Sequence, residues 1–319
     1  MARTVFPWPK SSTRRFLQEA RATPGYSWFD LLHGYVYARW PYLYIGIGTG
    51  EHPLARWLRP IVGFLGKVFG RPPDEHAPGF ADTYHGKVVP LESARQLVAV
   101  QEDVSLPNLE SIVPYAMARD IVLKNPGHIV ALECPCRASR ANPCLPLDVC
   151  LIIGEPFASM VAEHHPRRSR WLTRQQAESI LEAEHARGHV HHAFFKDAML
   201  GRFYAICNCC PCCCGAMQAM RNGTPMLASS GYVCQVDESA CTGCGECQTV
   251  CPFEAITAED GVAVVDRSAC MGCGVCISSC ASTALGLVRA PEKGEPLEIL
   301  TLIAQASDLA GVATMGDRQ

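Results

Sequence analysis

The stretch CTGCGECQTVCP, Cys241 to Pro252, places thiols at Cys241, Cys244, Cys247 and Cys251. A second stretch, CMGCGVCISSCA from Cys270 to Ala281, repeats the same intervals at Cys270, Cys273, Cys276 and Cys280, with a period of 29 residues. Two-residue gaps let three thiolates from one loop grip three corners of an iron–sulfur cube. The interposed Gly243, Gly245, Gly272 and Gly274 let the backbone wrap closely and turn N–H groups toward cluster sulfurs. Paired CxxC knuckles also bind zinc, but a continuous CxxCxxCxxxC present twice is far more typical of iron–sulfur ligation.

Across about Tyr232 to Val288 the chain resembles the bacterial two-cluster ferredoxin domain. The resemblance implies that Cys241, Cys244, Cys247 and Cys280 hold one [4Fe–4S] cluster and that Cys270, Cys273, Cys276 and Cys251 hold the other, the ligand sets crossing between repeats. Ala281 departs from the usual proline, at a position that shapes a turn and is not a ligand. Between the motifs, FEAITAEDGVAVVD reads as a short helix, a turn at Asp260–Gly261 and a strand. Cys234 on GYVCQVD reads as a buried thiol.

Nineteen Cys in 319 residues is too sparse for a small disulfide scaffold, and fifteen of them lie between Cys207 and Cys280. Setting aside the repeats and Cys234 leaves ten. Cys134, Cys136, Cys144 and Cys150 form one group, and YAICNCCPCCCGAM supplies Cys207, Cys209, Cys210, Cys212, Cys213 and Cys214. So many thiolates in one short loop without Lys or Arg repel one another unless they are protonated or bound to cations, so these ten are read as metal ligands. They are expected to hold one or two further iron–sulfur clusters. Either each group takes a cluster or the groups exchange ligands; in CNCCPCCC an extended chain points neighbouring side chains oppositely, which favours six thiols facing two centres. Arg137 and Arg140 beside Cys136 are read either as donors to cluster sulfur or to an anionic substrate, or as solvated surface residues. The ECPCR and CNCCxCCC patterns with a terminal two-cluster unit are similar, over roughly Phe80 to Val288, to a group of poorly characterised bacterial and archaeal 4Fe–4S-binding proteins. That likeness implies electron transfer without naming a substrate.

The fold class is α+β. Residues 1–79 read as a basic, aromatic, mainly helical arm, and 80–230 as a Cys-rich α+β domain. Residues 231–290 read as the two-cluster ferredoxin fold and 291–319 as a helix and tail. Met1 to Pro72 carries ten Lys or Arg against three Asp or Glu, net +7, whereas the whole chain is −3. Within it PLARWLRPIVGFLGKVFG, Pro53 to Gly70, reads as a helix that packs on the body, or lies on a membrane surface or an acidic partner. No nucleic-acid reader motif accompanies the basic arm, and nucleic acid is excluded as a partner. In LTRQQAESILEAEHARGHVHHAFF, Thr173 and Gln176 predict a capping box, Gly188 a stop and Val190–Phe195 a strand, a run compatible with a winged-helix-like unit. Its histidines are read as surface or hydrogen-bonded groups. PLEILTLIAQASDLAG reads as a helix packed on the body, with Leu297, Leu300, Ile303 and Leu309 apolar.

No stretch reaches the roughly 18 apolar residues of a spanning helix, and STRRFLQEA lacks the apolar region of a twin-arginine signal, so the expected compartment is the cytoplasm, with contact at the inner membrane face through the arm. GIGTGEHPLA lacks a dinucleotide fingerprint's final glycine. Two functions follow. One is an electron-transfer subunit serving a redox partner protein. The alternative is an oxidoreductase whose central Cys-rich centre reduces a disulfide or other small electrophile. A cluster-based sensor is a third, lesser reading.

Overall fold

The computed structural model describes residues 10–55, 57, 84–114 and 120–316. Three helices come first: α1 (Ser11–Ala22), α2 (Trp28–Arg39) and α3 (Pro41–Thr49). Ser27 and Asp30 close a reciprocal capping box on α2, Pro41 starts α3, and Gly50 stops it at φ 83°. Then come β1 (Tyr84–Val89), α4 (Leu91–Ala99), β2 (Val104–Leu106), β3 (Ile121–Leu123), β4 (Ile129–Leu132), α5 (Pro135–Ala138) and β5 (Cys150–Ile153). They are followed by α6 (Phe157–His164), β6 (Ser169–Leu172), α7 (Arg174–Ala186), β7 (Val190–Lys196), β8 (Arg202–Cys209), α8 (Gly215–Arg221) and β9 (Leu227–Ala228). The Cys repeats occupy β10 (Tyr232–Val236), α9 (Glu246–Val250), β11 (Ile256–Glu259), β12 (Val262–Val265), α10 (Val275–Ser278) and β13 (Leu285–Arg289), and α11 (Ile299–Gly316) follows.

Seven strands form one sheet in the order β6-β4-β5-β8-β7-β1-β9, antiparallel except at the β1–β9 edge. Every residue of β4, β5 and β7 is buried, because both faces of the sheet are covered. On one face Val130, Leu132, Cys150, Ile152 and Phe194 pack with Phe16 and Ala20 of α1, Ala38 of α2 and Phe157 of α6. On the other, Ile129, Leu151, Ile153, Phe195 and Ile206 pack with Leu97 of α4, Leu181 of α7 and Ile299 of α11. The amino-terminal helices thus share a core with the Cys-rich sheet, and Leu297 and Ile299 tie the last helix to it. Leu300, expected on the apolar side of α11, is 53% exposed.

Two expectations need correction. The helix, glycine and strand of α7, Gly188 and β7 do not form a winged-helix-like unit: β7 is an interior strand paired to β8 and to β1. Local cap and stop signals specify the helix and strand but not the strand's distant partners. The segment before Asp260–Gly261 is β11, not a short helix. Asp260 and Gly261 both have positive φ (48° and 80°), the turn whose twist pairs its flanks as an antiparallel hairpin, here Ile256–Glu259 with Val262–Val265.

Pro53 to Gly70, the stretch expected as a docking helix, lies mostly outside the described residues. Trp28, Phe29 and Leu32 stand exposed on α2. Among the described residues no helix is long and apolar enough to cross a membrane.

Phe16 is wholly buried where α1 meets the sheet. Phe16→Ala is expected to lower unfolding free energy by about 3–5 kcal/mol, measured by chemical denaturation of the full chain under anaerobic conditions.

Candidate metal centres

The two repeats fold alike before each thiol loop. Asp237 Oδ1 accepts hydrogen bonds from the Ser239 N–H and hydroxyl, and Asp266 Oδ1 accepts the same pair from Ser268. Gly243 and Gly272, at φ +67° and +64°, bring backbones too close for a side chain. A Cβ there would lie 2.2 Å from the Gly261 carbonyl oxygen and 2.2 Å from that of Tyr232, respectively.

Two separate cavities result, each lined by thiols from both repeats. Cys241, Cys244, Cys247 and Cys280 line the outer one, where Cys244 is exposed. Cys251, Cys270, Cys273 and Cys276 line the inner one, where Cys270, Cys273 and Cys276 are buried. Backbone donors point at inner sulfurs: Ala255 N–H to Cys251 Sγ at 3.3 Å and Cys234 N–H to Cys270 Sγ at 3.4 Å. Cys234, read as a bystander, is buried but lines the inner cavity, with Sγ 3.6 Å from Cys276 Sγ.

The other ten thiols divide across the two sequence groups. Register puts Cys150 of β5 directly opposite Cys207 of β8. Cys209 lies two residues further on β8, and the turn after β4 carries Cys134 and Cys136. Cys134, Cys136, Cys150, Cys207, Cys209 and Cys214 gather as a ring of six around one cavity, which Cys210 also lines. The ring surrounds an apolar cavity of about 70 Å³, which Tyr37, Ala38, Pro41 and Ile45 of the amino-terminal helices help to wall. The remaining four, Cys144, Cys210, Cys212 and Cys213, form a tight separate group with all Sγ atoms within 4.8 Å of one another. Of the six thiols of CNCCPCCC, Cys207, Cys209 and Cys214 line the ring cavity, Cys212 and Cys213 belong to the four-thiol group, and Cys210 touches both.

Ring thiols suit a soft cation. A hydrogen bond to Cys136, partly offset by one to Cys150, acts with burial to push the Cys134 thiol up to about 12. Hydrogen bonds to Cys134 and Cys207, with burial, raise Cys150 well above its ordinary value. Coordination to a metal deprotonates thiols outright, and an all-sulfur donor set fits iron or zinc. The ring residues thus fit an iron–sulfur group by their chemistry.

Polar groups, among them the two arginines beside Cys136, brace the backbone around the thiols. Arg137 is buried, not solvated: it donates to Glu184 Oε2 at 2.5 Å, to the Pro146 carbonyl at 2.6 Å and to the Asn208 carbonyl at 3.0 Å. Arg140 donates to the Cys213 carbonyl at 3.1 Å and to Gln218 Oε1 at 2.7 Å. Asn208, between Cys207 and Cys209, donates to the Val149 carbonyl at 2.7 Å and accepts from His191 Nδ1 at 2.6 Å. His191 stacks on His185, whose Nε2 lies 2.7 Å from Ser278 Oγ of the repeat unit. His189, His191 and His192 are all buried; His189 and His191 are hydrogen-bonded, one of the two alternatives expected, whereas neither ring nitrogen of His192, opposite Cys207, has a hydrogen-bond partner among the described residues. The odd spacing of Cys207, Asn208 and Cys209 in a strand was the one signal that pointed to Asn208, since it forces the amide to the face opposite the thiols.

Residues 234–281 match the family described as the 4Fe-4S dicluster domain. Among curated proteins no sequence matches the chain. A 4Fe–4S dicluster domain joined to a second Cys-rich region supports an iron–sulfur protein of the electron-transfer class.

Two outcomes follow from the buried polar groups. Glu184→Ala leaves the Arg137 guanidinium buried without its carboxylate, and a loss of about 3–5 kcal/mol is expected in denaturant titrations, with less lost by the Arg137→Met/Glu184→Leu double variant. Burial lowers His191 to about 4. The unfolded chain therefore takes up this proton first, so stability falls as pH drops from about 6.5 toward 4 and levels below, by up to about 3 kcal/mol. Unfolding midpoints across that window are expected to fall less in His191→Gln, and the difference between the two proteins reads the histidine.

Proposed function

We infer that this chain carries single electrons from a thiol cage at its surface to the ring of six thiols in its middle sheet. The observation that carries this is packing: Met271, Cys273 and Val275, around the inner cage, belong to one continuous buried cluster with Cys134, Cys150, Cys209 and Cys214 of the ring. In this reading Cys241, Cys244, Cys247 and Cys280 hold one [4Fe–4S] cluster, and Cys251, Cys270, Cys273 and Cys276 a second. Cys134, Cys136, Cys150, Cys207, Cys209 and Cys214 hold a further iron–sulfur centre. When bound, such groups supply one-electron oxidation and reduction, at potentials set by charge, exposure and hydrogen bonds to sulfur.

The residues themselves supply the direction. Exposed Cys244 opens the outer cage to a redox partner protein, while burial of Cys270, Cys273 and Cys276 shields the inner one. Ser278 on His185 seats the inner cage against α7, and His191 and Asn208 continue the contact to Cys207 and Cys209. Contact of the basic arm with a membrane surface belongs to the same proposal, with exposed Trp28, Phe29 and Leu32 as the apolar face it would use.

A cleft of about 340 Å³ beside Cys136, lined also by Lys196, Tyr37, Tyr44, Thr49 and Asn222, favours a second reading, an oxidoreductase that reduces a disulfide or other small electrophile at the ring. Lys196 lies 5.0 Å from the Tyr37 ring and 5.5 Å from that of Tyr44, and burial lowers it to about 8, a value suited to proton donation. Under this reading the absorption of the ring centre shifts when cystine is added without a partner protein. A pure relay leaves it unchanged.

Cys244→Ser and Cys273→Ser are each expected to remove about four iron and four acid-labile sulfide per chain and to leave the ring centre assembled. With a small electron-donor protein, Cys244→Ser should also slow reduction of the ring centre, followed by electron paramagnetic resonance. Equal rates in wild type and Cys244→Ser would take the outer cage out of the path.

A further inference from the structure

The four-thiol group differs from the other three in its dimensions. All four Sγ atoms of Cys144, Cys210, Cys212 and Cys213 lie within 4.8 Å of one another, with Cys144 and Cys212 at 3.1 Å and Cys212 and Cys213 at 3.8 Å. Four sulfurs bound to one tetrahedral ion at about 2.3 Å stand about 3.8 Å apart along each edge. Thiolates of a cubane bind four different irons at the corners of a cube and necessarily stand further apart. The same molecule provides the comparison. Among the described residues no other group of three or more Cys, His, Asp or Glu draws its ligand atoms this close, and that includes both cages of the dicluster domain and the ring.

The surroundings fit a fixed ion. Cys210 and Cys213 are buried, Cys144 is half-buried and Cys212 exposed. The loop that carries three of the thiols is held through its carbonyls: Arg221 donates to Pro211 at 2.7 Å, Gln218 to Cys212 at 2.9 Å and Arg140 to Cys213 at 3.1 Å. Arg221, and Arg140 with its ion-pair partner Glu51, stand beside a site where four thiolates on a divalent ion leave a net charge of −2. Cys144 comes from the loop between α5 and β5, so an ion here joins two loops 66 or more residues apart in sequence.

We propose that Cys144, Cys210, Cys212 and Cys213 bind a single tetrahedral Zn²⁺ ion rather than an iron–sulfur cluster. The ion fastens the Cys144 loop to the turn between Cys209 and Cys214, two members of the ring, and takes no part in electron transfer because zinc has no accessible redox change. The site stands independently of the relay: the relay rests on iron and sulfide, this site on zinc.

The test uses the full chain purified anaerobically, with zinc, iron and acid-labile sulfide measured on one sample. One zinc per chain is expected, lost from Cys144→Ser and from Cys212→Ser, with iron and sulfide unchanged in both. Cys212 is exposed, so its replacement disturbs packing least, and retention of the dicluster absorption shows that the variant is folded. Loss of about four iron and four sulfide from either variant would assign a cubane and overturn the proposal. A zinc content unchanged by both substitutions, or one sulfide-free iron lost in place of zinc, would overturn it as well. Absence of iron and sulfide from the wild type would instead defeat the relay and leave the zinc result standing.

Discussion

Cys150 lies opposite Cys207 because β5 and β8 pair in one register, with Leu151 against Ile206 and Ile152 against Ala205. Opposed residues share a face of a sheet, and a slip of one residue would send every side chain of the strand to the other face. Here both faces are buried, so the apolar neighbours fix the thiols as firmly as they fix themselves. The rest of the ring follows from this pair. Cys209 lies two residues along the same strand, Leu132 pairs with Cys150 and leads to Cys134, and the turns after β4 and β8 bring Cys136 and Cys214.

Arg137 occupies the ground between the two central thiol groups. Its guanidinium joins the Pro146 loop, the Asn208 carbonyl of β8 and Glu184 of α7, all inside the protein. A buried ion pair is weak evidence of net stability, since desolvation of both partners offsets their attraction. Its contribution here is geometric. By holding the backbone at Asn208 it fixes the residue that separates Cys207 from Cys209, while the amide of that residue anchors to Val149 on the neighbouring chain segment.

The dicluster repeat was legible in sequence because its ligands are local: short loops set the spacing of Cys241 to Cys251 and of Cys270 to Cys280, and glycines with positive φ mark the close approaches. Capping chemistry likewise fixed α7, through Thr173 and Gln176. The ring was legible only as a supply of thiols. Its members come from four segments joined by strand pairing, and which of the ten cysteines gather depends on a register no local pattern encodes. Of the histidines read as surface or hydrogen-bonded, His189 and His191 are hydrogen-bonded, and it is their burial that no local pattern signalled. His191 and His192 alternate like a half-exposed strand, yet helices cover both faces, and burial of the second face is decided by distant chain. The strand before Asp260 was missed because Ala and Glu in AITAED suit a helix, while the two left-handed turn residues govern the pairing.

The dicluster unit is not hung from the sheet by a linker. Met271, Cys273 and Val275 are built into the sheet's own core, Ser278 is bonded to His185, and Gly188 packs beside Val275. The separation between its inner cage and the six-thiol ring is therefore set by side-chain contact. In the relay proposed above, passage between them would need no swing of a tethered module.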